Sequence, residues 1–156
     1  MTPPRRAPLR NPRYVWMTRR DKVRQAVSMW RALQTRNWRL AHPRQEHSVS
    51  SLRYSFAGIE HLVRSLTEED RSWGAYFARH ALNPVTVVYE DDLEPDRNRT
   101  VETVLAHIGV AAPSGWEAAE PMHRQADELN EEWVTAYGRD LGDGDAGRSR
   151  VASDGD

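Results

Sequence analysis

The sequence predicts an α/β fold in which a parallel sheet is flanked by helices. Two short runs, YVWMT at Tyr14–Thr18 and VTVVY at Val85–Tyr89, have the β-branched and aromatic content of buried strands. Each is followed by a segment whose apolar residues recur at helical spacing. Strands alternating with helices place helices over a parallel sheet, and ligands in such sheets gather beyond the carboxyl ends of the strands. Two strands are few for such a sheet, so either short strands escape the pattern or the sheet is incomplete.

The elements follow in order. Tyr14–Thr18 ends abruptly in Arg19, Arg20 and Asp21, a polar turn. Val23, Val27, Trp30 and Leu33 then mark one face of a helix expected from about Lys22 to about Trp38. Phe56, Ile59, Val63 and Leu66 mark a second helix. Thr67 with Glu68, Glu69 and Asp70 reads as the cap and acidic first turn of a third, which carries Trp73, Tyr76 and Phe77. Pro84 stops helical structure before the second strand. Pro95 opens another helix with a stripe of Val101, Val104, Leu105 and Ile108, and Gly109 suits its left-handed cap. A last helix is expected from about Met122 to Tyr137, burying Leu129, Trp133 and Tyr137.

The chain of 156 residues, 38% of them apolar, is sized for one domain. Residues 1–12, rich in Pro and Arg, and residues 138–156, rich in Gly and Asp, are expected to be flexible or disordered ends around a domain at 13–137. No apolar run reaches bilayer length, and MTPPRRAPLR is not followed by the apolar stretch of a secretion signal, so a cytoplasmic location is expected. The absence of cysteine excludes disulfides and thiolate metal sites. The net charge of -1 hides an asymmetry: from Arg5 to Arg44 the chain has many arginines, one lysine (Lys22) and a single acid, Asp21. That half either seeks an anion or is an arginine-rich solvated surface, and charge by itself does not decide between them.

The segment RRDKVRQAVSMW, Arg19–Trp30, is the candidate anion site. Helix amides beyond a strand end, together with a fixed guanidinium, suit a phosphate, because an arginine fork bonds two oxygens at once. Arg20 is the first candidate, with Ser28 eight residues later and Arg24 as an alternative to Arg20. If the helix starts at Asp21, Ser28 lies roughly 10 Å further along its axis. A loop over the first few residues would shrink that gap.

An arginine after a strand, a serine eight residues on and then an aromatic residue resemble the 3′-phosphate-binding motif of sulfotransferases. VTVVYEDDLEPDRNRTVETVLAHIGV is similar to the strand, YEDL turn and helix that recur in that group, with an extra acid between Glu90 and Leu93. RRDKVRQAVSMWRALQTRNW, the Trp73 helix and RQADELNEEWVTAY at Arg124–Tyr137 resemble the bacterial trehalose 2-sulfotransferase family, and the likeness covers about Arg13 to Tyr137. It implies a P-loop NTPase-like sulfotransferase fold. It also implies transfer of a sulfuryl group from 3′-phosphoadenosine 5′-phosphosulfate to the hydroxyl of trehalose or a related sugar, without a metal. Arg20 and Ser28 would hold the donor's 3′-phosphate, and Arg124 and Gln125 occupy the place of a late donor-binding segment. Family members pair as homodimers, so self-association is expected.

The departure from the family lies at the front, where a first strand, a Gly- and Ser-rich phosphosulfate loop and a helix with the proposed catalytic glutamate are expected. The first glycine is Gly58, and residues 1–12 contain no serine. The chain is therefore expected to be a truncated carboxyl-terminal part, inactive on its own, with no catalytic residue assigned. Lys22 lacks the context of a phosphate-binding kinase loop. The alternative function is a noncatalytic remnant or a module binding nucleic acid or another polyanion. It is disfavoured because the arginines are not interleaved with aromatics or glycines and the second half is acidic.

The remaining polar and aromatic residues take plainer readings. Tyr89, Glu90, Asp91 and Asp92 are read as a structural turn and helix start. His42 and His47 lack the spacing of a helical zinc pair, and His42–Ser51 is read as a substrate-side or dimer loop. Trp30, Trp73 and Trp133 are expected in the core, with Trp38 and Trp116 freer to meet a ligand. Asn130 and Glu131 are read as solvent-facing.

Overall fold

The computed structural model describes residues 11–35, 52–118 and 128–153. It is an α/β structure with a small parallel sheet. The elements run β1 (Val15–Thr18), α1 (Lys22–Thr35), α2 (Phe56–Arg79), β2 (Val85–Val88), a π-type turn at Tyr89–Leu93, α3 (Arg97–Ile108) and α4 (Glu128–Ser153). They fall into two compact units, one made of residues 1–20 and 73–119 and the other of residues 21–72 and 120–156. Among the described residues no helix is long and apolar enough to cross a membrane.

The first unit holds the sheet. β1 and β2 pair in parallel with Val15 opposite Val85 and Thr18 opposite Val88, and the amide of Val85 donates to Tyr14 O at 3.0 Å. Parallel pairing brings both carboxyl ends to one edge of the sheet, which is what positions the site below. Tyr14 and Trp16 lie on one face of β1 and pack against Phe77 of α2, with ring centroids 5.9 and 5.7 Å apart. Val15 and Met17, on the other face, remain 39% and 62% exposed, while Val87 of β2 is buried. α3 begins at an Asp96 cap whose side chain accepts from the Arg99 amide, and ends at Gly109, whose φ of 79° is the left-handed cap the sequence predicts.

The second unit is built on Ala26 and Val27 of α1, Ile59 of α2, and Trp133 and Tyr137 of α4, all buried. Val23, Trp30, Val63, Leu66 and Leu129 pack around them. The predicted stripe of α1 is thus real, although Ala26 is as buried as Val27 while Leu33 is 44% exposed. Polar ties close the unit. The Tyr54 hydroxyl donates to Asp140 at 2.8 Å and the Tyr137 hydroxyl donates to Glu60. Burial, and then these carboxylates, push both phenols up to about 12.

Four expectations are corrected. The second and third helices are one, α2. The Thr67 hydroxyl donates back to Val63 O at 2.7 Å inside the helix, so it does not cap a new one. The last helix runs past Tyr137 to Ser153, and Asp140, one turn on, is bonded to Tyr54. Trp73 is not a core residue: it is 52% exposed and stacks on Phe77 with centroids 5.7 Å apart. Strand β2 stops at Val88, one residue short of the predicted end, because Tyr89 opens the π-type turn through Glu94 N to Tyr89 O at 2.8 Å.

Two positions generate stability predictions. A Cβ on Gly58 would meet ring carbons of Trp30 at 2.8 Å, and that ring is fixed by its indole N–H donating to Arg53 O at 2.9 Å. Gly58→Ala is expected to destabilise the protein by about 1–3 kcal/mol, outweighing alanine's helix preference of about 1 kcal/mol, in a denaturant titration. At the end of α2, Leu82 N bonds Phe77 O and Ala81 N bonds Ala78 O, with Ala81 at φ 49°. This is the glycine position of a helix C-cap. Ala81→Gly is expected to raise stability by about 0.5–1 kcal/mol in the same assay.

Candidate functional site

The site lies where the two parallel strands end. β1 leads into Arg19 and Arg20, and β2 leads into the acidic turn YEDDL. Glu90 uses both of its oxygens there. Oε1 accepts from Arg19 Nε at 3.0 Å, and Oε2 accepts from the backbone amide of Arg20 at 2.9 Å. The Arg19 guanidinium also lies over the Tyr89 ring, 4.4 Å from its centroid. Partial burial pushes the Glu90 carboxyl upward, but the Arg20 amide and the Arg19 guanidinium overcome that and hold it below its ordinary value.

The other two acids of the turn divide their tasks. Asp92 Oδ2 accepts from the Val88 amide at 2.7 Å, and Asp92 O accepts from the Thr100 hydroxyl at 2.7 Å, so Asp92 closes the turn and ties it to α3. Asp91 reaches across to the Arg20 guanidinium and pairs with it. The structural reading of this turn therefore holds for Asp92. For Glu90 and Asp91 it missed the partner: these carboxylates bind the arginines leaving β1. No local signal in the sequence marks this pairing, since the arginines lie 70 and 71 residues before these acids.

In the second unit, α1 starts at once. Asp21 Oδ1 accepts from the Arg24 amide at 2.9 Å, the geometry of a helix N-cap. Of the two arrangements open to the sequence, the loop that would have shortened the spacing is absent, and Ser28 lies six residues into the helix, roughly 9 Å along its axis. Ser28 is exposed. Arg24 is held by two acids: its Nη2 donates to Glu131 Oε2 at 2.8 Å, its Nη1 pairs with the other Glu131 oxygen, and its Nε lies 3.1 Å from Asp21. The bond to Glu131, against some burial, raises the Arg24 guanidinium above its ordinary value.

Arg31 donates to Asn130 Oδ1 at 2.7 Å. Asn130 and Glu131 thus tie α4 to α1; Glu131 does face solvent, as expected, with its side chain 50% exposed, whereas Asn130 is half-buried. Arg124, Gln125, Trp38, His42 and His47 lie outside the described residues. Trp116 is half-buried, its amide bonded to Pro113 O at 3.1 Å.

The arrangement thus presents one well-exposed guanidinium at the sheet's carboxyl edge, Arg20, whose side chain is 68% exposed and whose backbone is anchored by Glu90. An arginine so placed can bond an anion through its fork without moving the chain. A carboxylate depressed in the folded state stabilises the fold above its unfolded value, near 4.5, and loses that contribution as the pH falls through its lower folded value. Glu90→Gln is therefore expected to destabilise by about 1–2 kcal/mol at neutral pH. The gap between variant and parent should close as the pH is lowered below 4.5, and thermal melts across pH would show it.

Comparison with known proteins places this geometry in context. The sequence model of the Stf0 sulphotransferase family matches residues 5–140. The chain is 31% identical over 128 residues to a trehalose 2-sulfotransferase of Mycobacterium tuberculosis (strain ATCC 35801 / TMC 107 / Erdman), a match covering 81% of this chain and 45% of that protein. It is 34% identical over 131 residues to a trehalose 2-sulfotransferase of Mycolicibacterium smegmatis (strain ATCC 700084 / mc(2)155), covering 83% of this chain and 47% of the relative. The chain spans about half the length of the curated relatives it matches.

Proposed function

The chain belongs to the Stf0 sulphotransferase family, and on that premise we propose that it forms the part of a carbohydrate sulfotransferase that binds the 3′-phosphate of 3′-phosphoadenosine 5′-phosphosulfate. The observation that carries the proposal is Arg20, an exposed guanidinium on an anchored backbone at the carboxyl edge of a parallel sheet. Nucleotides bind at that edge in α/β folds. The motif adds Ser28 as a second ligand, with Arg24, Arg124 and Gln125 as further donor-binding candidates. Arg24 already serves Glu131 and Asp21, so Arg20 is the cation that carries the phosphate's charge.

The whole protein's reaction is transfer of the sulfuryl group to a sugar hydroxyl, with trehalose, the sugar named for both relatives, as the first acceptor to try. The chemistry parallels phosphoryl transfer: the attacking and leaving oxygens lie in line, and positive groups neutralise the departing phosphate. In that scheme Arg20 does not touch the sulfuryl group. It fixes the far phosphate of the nucleotide and so orients the donor, converting remote binding into correct placement of the reacting end.

Calorimetry with 3′-phosphoadenosine 5′-phosphate, the product left by the donor, tests the reading. Binding is expected to weaken with added salt, and Arg20→Ala should weaken it by about 10-fold or more, the value of a charge-assisted hydrogen bond. Equal affinity in the variant and the parent would overturn the assignment.

A further inference from the structure

The acidic turn after β2 carries three acids in succession, and the structure gives structural work to two of them. Glu90 anchors Arg19 and the Arg20 backbone, and Asp92 closes the turn on Val88. Asp91 makes its ion pair with the side chain of Arg20, the group proposed to meet the nucleotide phosphate. Both partners are open to solvent, Asp91 at 42% and Arg20 at 68% of the side chain. Neither is built into the core, so the pair can exchange without disturbing the fold.

We propose that Asp91 is an affinity-determining residue of the donor site: its carboxylate occupies the Arg20 guanidinium in the ligand-free protein and must be displaced by the incoming phosphate. This rests on the reading of Arg20 as a phosphate ligand. Asp91 holds Arg20 Nη2, the nitrogen that contributes to both edges by which a guanidinium grips two oxygens at once, so a phosphate bound through two N–H groups competes with it. A phosphate dianion outcompetes a single exposed carboxylate, whose pairing on a protein surface is worth little. The acid thus sets a threshold: weakly charged anions leave the internal pair intact, and a ligand with a full phosphate breaks it. After transfer, the same carboxylate is at hand to take back the arginine as the spent nucleotide leaves.

The test is a double-mutant cycle of Asp91→Asn and Arg20→Ala, with Kd for 3′-phosphoadenosine 5′-phosphate measured by calorimetry on the parent, both single variants and the double variant. Asp91→Asn is expected to bind about two- to fivefold more tightly than the parent, the worth of one surface ion pair, and to lose that gain in the Arg20→Ala background. Asp91→Ser should behave as Asp91→Asn, which separates the missing charge from any effect of the new amide. Weaker binding by Asp91→Asn would show that the acid supports the arginine, and unchanged binding would show that it does not compete. Either result overturns the proposal while leaving Arg20 as a ligand if Arg20→Ala is impaired. A gain of equal size without Arg20 would trace to net charge alone and would also overturn it. If Arg20→Ala binds like the parent, the phosphate reading itself fails, and the competition falls with it.

Discussion

The carboxylate of Glu90 sits between two chain segments that parallel pairing forces to end side by side. At that edge the backbone leaves the ladder, and the amide of Arg20 no longer faces a strand carbonyl. Glu90 accepts from that amide with one oxygen and from the Arg19 guanidinium with the other. A partly buried carboxylate would ordinarily resist its charge, but two donors, one of them cationic, reverse that cost. The direction in which β1 exits is thereby fixed by a side chain from β2. The turn that delivers Glu90 is in turn closed by Asp92 on Val88 and by the Thr100 hydroxyl on Asp92 O. Removing the carboxylate would leave the Arg20 amide without this acceptor at the exit of β1.

The second unit follows a different constraint, the filling of one aromatic and aliphatic core. Ala26 and Val27 let α1 approach closely, and Trp133 and Tyr137 of α4 fill the space their small side chains leave. The two helices are then held in register by Arg24 on Glu131 and Arg31 on Asn130. Surface pairs of this kind add little stability, and their weight lies in selecting one alignment of α1 against α4. Gly58 belongs to the same logic, because α2 comes so near the Trp30 ring that no side chain fits there.

How much of this is legible in the sequence depends on the range of the interaction. Strand runs, the apolar stripe of α1, the Asp21 turn and the Gly109 cap are local patterns, and each appears where the sequence places it apart from one residue at a strand end and the exposed Leu33. Thr67 failed as a cap because a threonine before acids has the same local pattern whether it starts a helix or bonds back to Val63 within one. The candidate ligand Arg20 could be read from its position after a strand. Its partners could not, because Glu90 and Asp91 lie 70 and 71 residues away, and a stretch of acids after a strand reads equally well as a helix start. Trp73 looked like a core residue because helical periodicity shows which face is apolar and is silent on whether anything covers it.

Among the described residues, long-range pairs answer part of the charge asymmetry of the chain. Arginines crowd the segment from Arg5 to Arg44 and acids the later part, yet the net charge is -1. Within each unit the two kinds meet: Arg19 with Glu90 and Arg20 with Asp91 in one, Arg24 with Glu131 and Lys22 with Asp70 in the other. Among the described residues these arginines already have acid partners, so a competing anion would have to displace a carboxylate. Arg24 has two acids and a bidentate hold, whereas Arg20 pairs through an exposed nitrogen with one exposed carboxylate. Among the described residues, then, Arg20 at the carboxyl edge of the sheet is held less firmly than Arg24, and that difference comes from their partners rather than from the number of arginines nearby.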